Sequence, residues 1–365
     1  MDRLIRRIVE NEEIELEEAI FVDKLQEPVL GCLMQSLKSN TRLRKLSLSR
    51  YSGPEWRQHD QKDHIRKLFQ AIRSLPSLCA VRLAGFDGQE TGLREFLYHH
   101  PTLERLEINS AAFDTTLMHT IQSIPNLKDV SFCLGMSMSL AAIMEVQTLE
   151  RFELIDFESN FSDFHLIEIL KGASMSGSLR SLYFGVVRSG AVVDAIARML
   201  QRNQVLLSVE VDFQGKCQRE IDSFCFQIAA ALETNRSLET FVLYPINMLP
   251  SRLGKGGRNA VLKMLEKNYT LRQLDLMFDE NADTDGNDPM EEESLSPALE
   301  TDEFILKKDI FLKMNSLGRD RLLTRHNVPT RAWVEMMIGV QDDLDGLFYL
   351  ISTNPSLCAE GRTTY

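Results

Sequence analysis

One short phrase recurs nine times along the chain, and it limits the possible folds more than any other feature. It consists of an apolar residue, two variable positions, an apolar residue, one variable position and a third apolar residue. The first five copies are Leu43/Leu46/Leu48, Leu78/Val81/Leu83, Leu103/Leu106/Ile108, Leu127/Val130/Phe132 and Leu149/Phe152/Leu154. The last four are Leu179/Leu182/Phe184, Leu206/Val209/Val211, Leu238/Phe241/Leu243 and Leu271/Leu274/Leu276. First positions advance from 43 to 271 in eight steps, a mean period of about 28.5 residues with individual steps of 22 to 35. In an extended strand, residues two apart share a face, so the last two apolar residues of each phrase point inward together. The residue between them points the other way. Asn40, Pro76, Pro101, Asn235 and Asn268 stand shortly before five of the phrases, where they end a helix and turn the chain into a strand.

Helical periodicity fills the gaps between phrases. Ile65, Leu68, Phe69 and Ile72 fall at i, i+3, i+4 and i+7, as do Val192, Ala195, Ile196, Met199 and Leu200, and then Ile221, Phe224, Ile228 and Leu232. A strand plus an amphipathic helix cannot bury two apolar faces alone, but stacked copies can. The expected fold class is therefore α/β: a solenoid with a curved parallel sheet inside, helices outside and a helical C-terminal cap.

The junctions Leu37-Lys-Ser-Asn40-Thr-Arg-Leu43-Arg-Lys-Leu46-Ser-Leu48 and Leu232-Glu-Thr-Asn235-Arg-Ser-Leu238-Glu-Thr-Phe241-Val-Leu243 resemble the helix-to-strand junction of ribonuclease-inhibitor-like leucine-rich-repeat proteins. The resemblance spans residues 24 to 278. It departs from that class in the shorter repeats between 103 and 154, where short turns replace full helices, and in lacking most of the Asn residues that usually follow the strand. The C-terminal run from Phe311 to Leu323, with Trp333 and the segment 342–358, resembles the tail of repeat proteins found in diatoms and related algae. That likeness implies the architecture alone.

Four regions follow: an N-terminal cap and first helix at 1–40, the repeat array at 41–278, an acidic linker at 279–303 and a helical cap at 304–358. Leu4, Ile5 and Ile8 are expected to cover the open end of the core, with an edge strand at Ile14–Leu16. The linker is dense in carboxylates and poor in apolar residues, which predicts disorder. Beyond it, helices are expected near 304–316, 318–326 and 330–353, although 310–317 also suits a tenth repeat strand.

A formal charge of −12 argues against a general nucleic-acid or anionic-membrane binder, since both need surplus Lys and Arg. No run of about 18 apolar residues occurs, so no membrane-spanning helix is expected. Six cysteines lie scattered without a CxxC pair and read as reduced thiols, mostly packed, in a cytoplasmic or nuclear protein.

Several motifs carry possible chemistry. Asn281 to Glu292 approximates a calcium loop, with oxygen-bearing residues at places one, three, five and twelve and Gly286 at six. Asp288 stands where an apolar residue normally docks, and a strand rather than a helix precedes the loop, so a solvated acidic linker is the favoured reading. Leu253-Gly-Lys-Gly-Gly-Arg-Asn259 could cradle a phosphate but lacks the Lys-Ser/Thr ending of a P-loop, which favours helix-start glycines. His99 and His100 diverge on a helix, so they are expected to close it rather than hold a metal. No catalytic, cofactor or metal residues are assigned.

The function expected is a non-enzymatic protein-binding scaffold that recognises a basic partner surface on the concave sheet. Outward positions of the last four repeats gather Tyr183, Glu210, Asp212, Val242, Tyr244, Asp275 and Met277, aromatic and apolar anchors ringed by carboxylates. One alternative is a GTPase-activating solenoid that supplies Arg50, Arg82 or Arg105 in trans. Another is a substrate receptor of a ubiquitin ligase, disfavoured because about 40 residues precede the first phrase.

Overall fold

The computed structural model describes residues 20–21, 29–50, 61–86, 92–109, 115–133, 140–155, 162–215, 217–246, 253–276 and 297–316, with residues 319, 338, 347 and 348. The chain divides into two compact units, Met1–Phe213 and Gln214–Tyr365. All nine phrases form strands, and the architecture is an α/β leucine-rich-repeat solenoid.

Unit one holds eight parallel strands paired in sequence order. They are β1 (Ile20–Phe21), β2 (Lys45–Ser49), β3 (Ala80–Ala84), β4 (Arg105–Asn109), β5 (Asp129–Cys133), β6 (Arg151–Ile155), β7 (Ser181–Val187) and β8 (Ser208–Phe213). The register aligns the phrases: Leu46, Val81, Leu106, Val130, Phe152, Leu182 and Val209 form one inward row, and none is more than 2% exposed. The carbonyls of Arg44, Cys79, Glu104, Lys128, Glu150 and Arg180 each accept two amides from the start of the following strand. This repeated fork locks adjacent repeats without a frame shift, which a one-residue slip would turn inside out.

The helices of this unit are α1 (Val29–Ser39), α2 (Gln61–Arg73), α3 (Leu93–Leu97), α4 (Thr115–Gln122), α5 (Asp163–Met175) and α6 (Gly190–Arg202). The expected stripes are the buried ones, as with Ile65, Leu68, Phe69 and Ile72 on α2. The short central repeats carry a five-residue α3, an eight-residue α4 and, between β5 and β6, only a 3₁₀ turn at Ala141–Glu145. Gly172 on α5 admits that turn, because a Cβ there would meet Met144 Cβ at 2.8 Å.

Buried asparagines make the helix-to-strand turn. Asn40 Oδ1 accepts the amides of Arg42 and Leu43 at 2.9 and 2.8 Å. Asn203 does the same for Val205 and Leu206, and its Nδ2 donates to Ala173 O at 2.8 Å. Where Pro opens the turn, hydroxyls take over the link: Ser77 Oγ donates to Thr41 O and Thr102 Oγ1 to Leu78 O, both at 2.6 Å.

Unit two contains α7 (Gln218–Leu232), β9 (Thr240–Pro245), α8 (Lys255–Lys267), β10 (Gln273–Leu276) and α9 (Pro297–Ser316). β9 and β10 pair in parallel. Asn235 and Asn268 repeat the turn, each accepting the amide three residues on at 2.8 Å. Phe304, Ile310, Phe311 and Met314 of α9 are buried, and α9 packs against α8.

Two expectations change here. The helix begins at Pro297, so residues 297–303 are helical rather than disordered linker; Pro suits a first helical position because its missing N–H has no partner to lose. Residues 310–316 belong to this helix, not to a tenth strand. Asn315 nonetheless takes the next rung of the asparagine ladder, its Nδ2 donating to Asn268 O and Leu271 O at 3.0 and 2.8 Å. Arg319 donates to the last carbonyls of α8, Leu265 O and Glu266 O, at 2.9 and 2.7 Å and closes that helix end.

The edge strand expected at 14–16, the helix through Leu4 to Ile8, the calcium-like loop at 281–292 and Met277 lie outside the described residues. So do the helices expected at 318–326 and 330–353, apart from single positions. The described edge strand is β1, pairing Ile20 with Leu48. Two cysteines depart from the packed expectation: Cys32 and Cys217 are exposed, while Cys133 and Cys225 are buried. Burial pushes the Cys225 thiol up to about 12, with Asp222 adding to the rise. Among the described residues no helix is long and apolar enough to cross a membrane.

Candidate functional site

The residue between the two inward positions of each phrase forms one continuous row on the exposed face of unit one. In register it reads Ser47, Arg82, Glu107, Ser131, Glu153, Tyr183 and Glu210. Burial alternates along the strands as two-residue periodicity requires, buried at Leu106 and Ile108 and accessible at Arg105, Glu107 and Asn109. Short side chains in the row lie low between longer ones: Ser131, between Glu107 and Glu153, is buried.

Tyr183, Glu210 and Asp212 come together at the β7–β8 end of this face. Tyr183 pairs with Glu210 and Phe184 with Val211, then the register shifts so that Val187 pairs with Phe213. Two residues of β7, Gly185 and Val186, thus oppose Asp212 alone, a β-bulge that re-aims the strand edge. A regular register would pair Gly185 with Asp212, and the bulge breaks it there. The Tyr183 hydroxyl donates to Asp212 Oδ2 at 2.7 Å. Partial burial raises the Asp212 carboxyl above its ordinary value, the Tyr183 hydrogen bond pulls it back, and the Glu210 charge raises it. Glu153 stands beside Tyr183 in the register and extends the acidic margin.

In unit two, Val242 pairs with Asp275. Val242 is only 5% exposed, so it adds little contact area of its own. Tyr244 and Asp275 are half-buried, and Gln273 Nε2 donates to Asp275 Oδ2.

Two of the arginines considered for transfer in trans are ion-paired. Arg82 Nε lies 2.9 Å from Glu107 Oε1, and Arg105 Nε lies 2.8 Å from Asp129 Oδ2, each pair bridging neighbouring strands. The Arg50 amide donates to Ala84 O, which fixes its backbone beside Gly85. Gly85 has φ +74°, and a Cβ there would strike Arg50 O.

The glycine-rich run at 253–259 has a structural task. Gly254 caps α8, and its amide donates to Asp222 Oδ1 at 2.9 Å. An internal carboxylate therefore fills the place at this helix start where an anion would bind. A Cβ on Gly254 would collide with Asp222 Oδ2, and one on Gly257 would meet Asp222 Oδ1 at 2.9 Å. Sequence spacing gave no hint of Asp222, which lies 32 residues upstream.

The two histidines diverge. His99 has φ +51°, its amide donates to Ser123 Oγ, and its Nδ1 lies 3.1 Å from Ser123 O. His100 is buried edge-on to Phe96 at 5.2 Å, and neither of its ring nitrogens has a hydrogen-bond partner among the described residues. Burial lowers His100 to about 4, with the Arg73 charge adding to the shift.

No family model matches the chain, and no curated protein sequence matches it. Among solved structures it is similar to the actin-binding site 2 of leiomodin-1, at 15% identity and a TM-score of 0.32, over 46% of this chain and 81% of that one. It is also similar to the tropomodulin C-terminal domain of Caenorhabditis elegans, at 13% identity and a TM-score of 0.33, over 45% of this chain and 84% of that one.

Proposed function

We propose that the chain is a non-enzymatic protein-binding scaffold that takes a basic surface of another protein on the exposed face of its parallel sheet. The Tyr183–Asp212 hydrogen bond beside Glu210 carries this reading. The raised Asp212 carboxyl marks a charge that its surroundings stabilise incompletely. A Lys or Arg side chain arriving there would offset both the burial and the Glu210 repulsion. Tyr183 adds rigid aromatic area already fixed by its own hydrogen bond, so docking removes little further rotamer freedom. Tyr244 and Asp275 supply the same residue types in unit two and are assigned the same role.

The test is capture of a partner on the immobilised full chain. Glu210→Lys combined with Tyr244→Ala should abolish capture while leaving the melt nearly unchanged. Capture that survives this pair but fails with Arg82→Ala and Arg105→Ala would move the site to the N-terminal arginines.

A further inference from the structure

A groove of 490 Å³ runs across the strand-entry ends of β2 to β7 in unit one. Its walls are the two variable residues between the first and second apolar positions of the first six phrases. Six of these are basic: Arg44, Lys45, Arg105, Lys128, Arg151 and Arg180. Three are acidic: Glu104, Asp129 and Glu150. A local excess of three positive charges thus stands on a chain whose net charge is −12.

Two of the cations are offset within the groove, Arg105 by Asp129 at 2.8 Å and Lys128 by Glu104 at 3.4 Å. Arg151 reaches Glu153 at 3.5 Å. Arg44 and Arg180, at opposite ends, have no carboxylate among the described residues within ion-pair distance; the Arg180 guanidinium donates to Val205 O at 3.0 Å. The seventh phrase ends the groove, since Leu207 and Ser208 occupy the equivalent places.

We infer that this groove binds an extended, carboxylate-rich segment of a partner protein, at a site separate from the Tyr183 cluster. The register supplies the spacing. Lys45, Arg105 and Arg151 share one row on alternate strands, with Ala80 and Asp129 between them. Strands lie roughly 4.8 Å apart, so alternate strands are roughly 9.6 Å apart, close to the roughly 9.3 Å rise of one three-residue turn of a polyproline II chain. Carboxylates at i, i+3 and i+6 share one side of such a chain and would therefore meet Lys45, Arg105 and Arg151 in turn. The intervening Asp129 and the flanking Glu104 and Glu150 oppose a polyanion charged at every unit, which disfavours nucleic acid. They tolerate a segment whose acids are spaced, because its uncharged residues fall beside them.

The experiment titrates the full chain against a short fluorescein-labelled peptide with Glu at every third position in a Ser/Gly background, read by fluorescence anisotropy at low salt. Arg44→Glu with Arg180→Glu should weaken binding by about tenfold or more. Arg44→Gln with Arg180→Gln, which adds no new repulsion should the first pair fold poorly, should weaken it less. Lys171→Glu on α5 should leave it unchanged. A peptide of equal composition with its Glu residues adjacent should bind more weakly. Equal affinity for both peptides, or for wild type and both Arg44/Arg180 pairs, overturns the inference. A single-stranded RNA that binds more tightly and is lost in the same variants makes the groove a nucleic-acid site instead. A concentration-dependent dimer dissolved by Arg44→Glu and Arg180→Glu would place a second copy there and equally reject a partner segment.

Discussion

The Tyr183 hydroxyl and the Asp212 carboxylate meet at 2.7 Å across adjacent strands, opposite a bulge that gives β7 one residue more than β8. The contact holds an aromatic ring and an acid in fixed relation on the exposed face of the sheet. It also opposes the rise that burial and Glu210 impose on the acid.

Tyr183→Phe should therefore raise the Asp212 pKa further, and Glu210→Gln should lower it. Carboxyl carbon shifts followed through a pH titration report both. Because the site is half-exposed, the stability change for Tyr183→Phe should stay within about 1 kcal/mol. An Asp212 titration identical in wild type and Tyr183→Phe would show that the hydrogen bond is not formed in solution.

His100 makes stability depend on pH. Its folded value of about 4 lies below the ordinary 6.5, so the unfolded chain binds the extra proton first as pH falls. The contribution of the neutral ring is fully present above pH 6.5 and is lost progressively as pH falls from there toward 4. The loss should reach on the order of 3 kcal/mol across that window. Denaturant melts of wild type and His100→Leu, compared at several pH values, check it; parallel curves would refute the assignment.

Repeat-to-repeat turns depend on the asparagines. Asn268 accepts the Thr270 and Leu271 amides and donates to Leu232 O at 2.7 Å while wholly buried. Asn268→Ala leaves these groups without partners and should cost about 2–4 kcal/mol. The half-buried Thr102 hydroxyl makes one such link, and Thr102→Val should cost about 1 kcal/mol. Chemical denaturation measures both, and equal losses would contradict the ranking.

Much of this arrangement is legible in the sequence, because each phrase fixes one strand and its facing. The row from Ser47 to Glu210 follows directly once the phrases are aligned, and so do the groove-lining pairs such as Arg44-Lys45 and Glu104-Arg105. Asn203, three residues before Leu206, carries the same turn signal as Asn40. The remainder depends on side-chain size and on partners distant in the chain. Val242 sits in an outward position yet is buried, and the bulge at Gly185–Val186 breaks an otherwise regular row. Asp222 fills the start of α8 from the preceding helix, which no local spacing around Gly254 reveals.

That last contact predicts coupling. Gly254→Ala places a methyl against the Asp222 carboxylate and should destabilise by about 1–3 kcal/mol. In Asp222→Ala, which already lacks the cap, the same methyl should cost much less. A double-mutant cycle measures the difference. Additive losses would mean that Asp222 does not occupy the helix start.

Site-specific photo-crosslinking decides which layer of the solenoid meets a partner. p-Benzoylphenylalanine is placed at Ser208, which shares the exposed face of β8 with Glu210, and separately at Phe164 on α5, which is 66% exposed. Both full-length proteins are irradiated in native lysate. A discrete adduct formed from position 208, absent from position 164 and suppressed by Glu210→Lys, is the expected result. Adducts that arise only from position 164, or that persist at 208 after Glu210→Lys, would place recognition away from the Tyr183–Asp212 cluster.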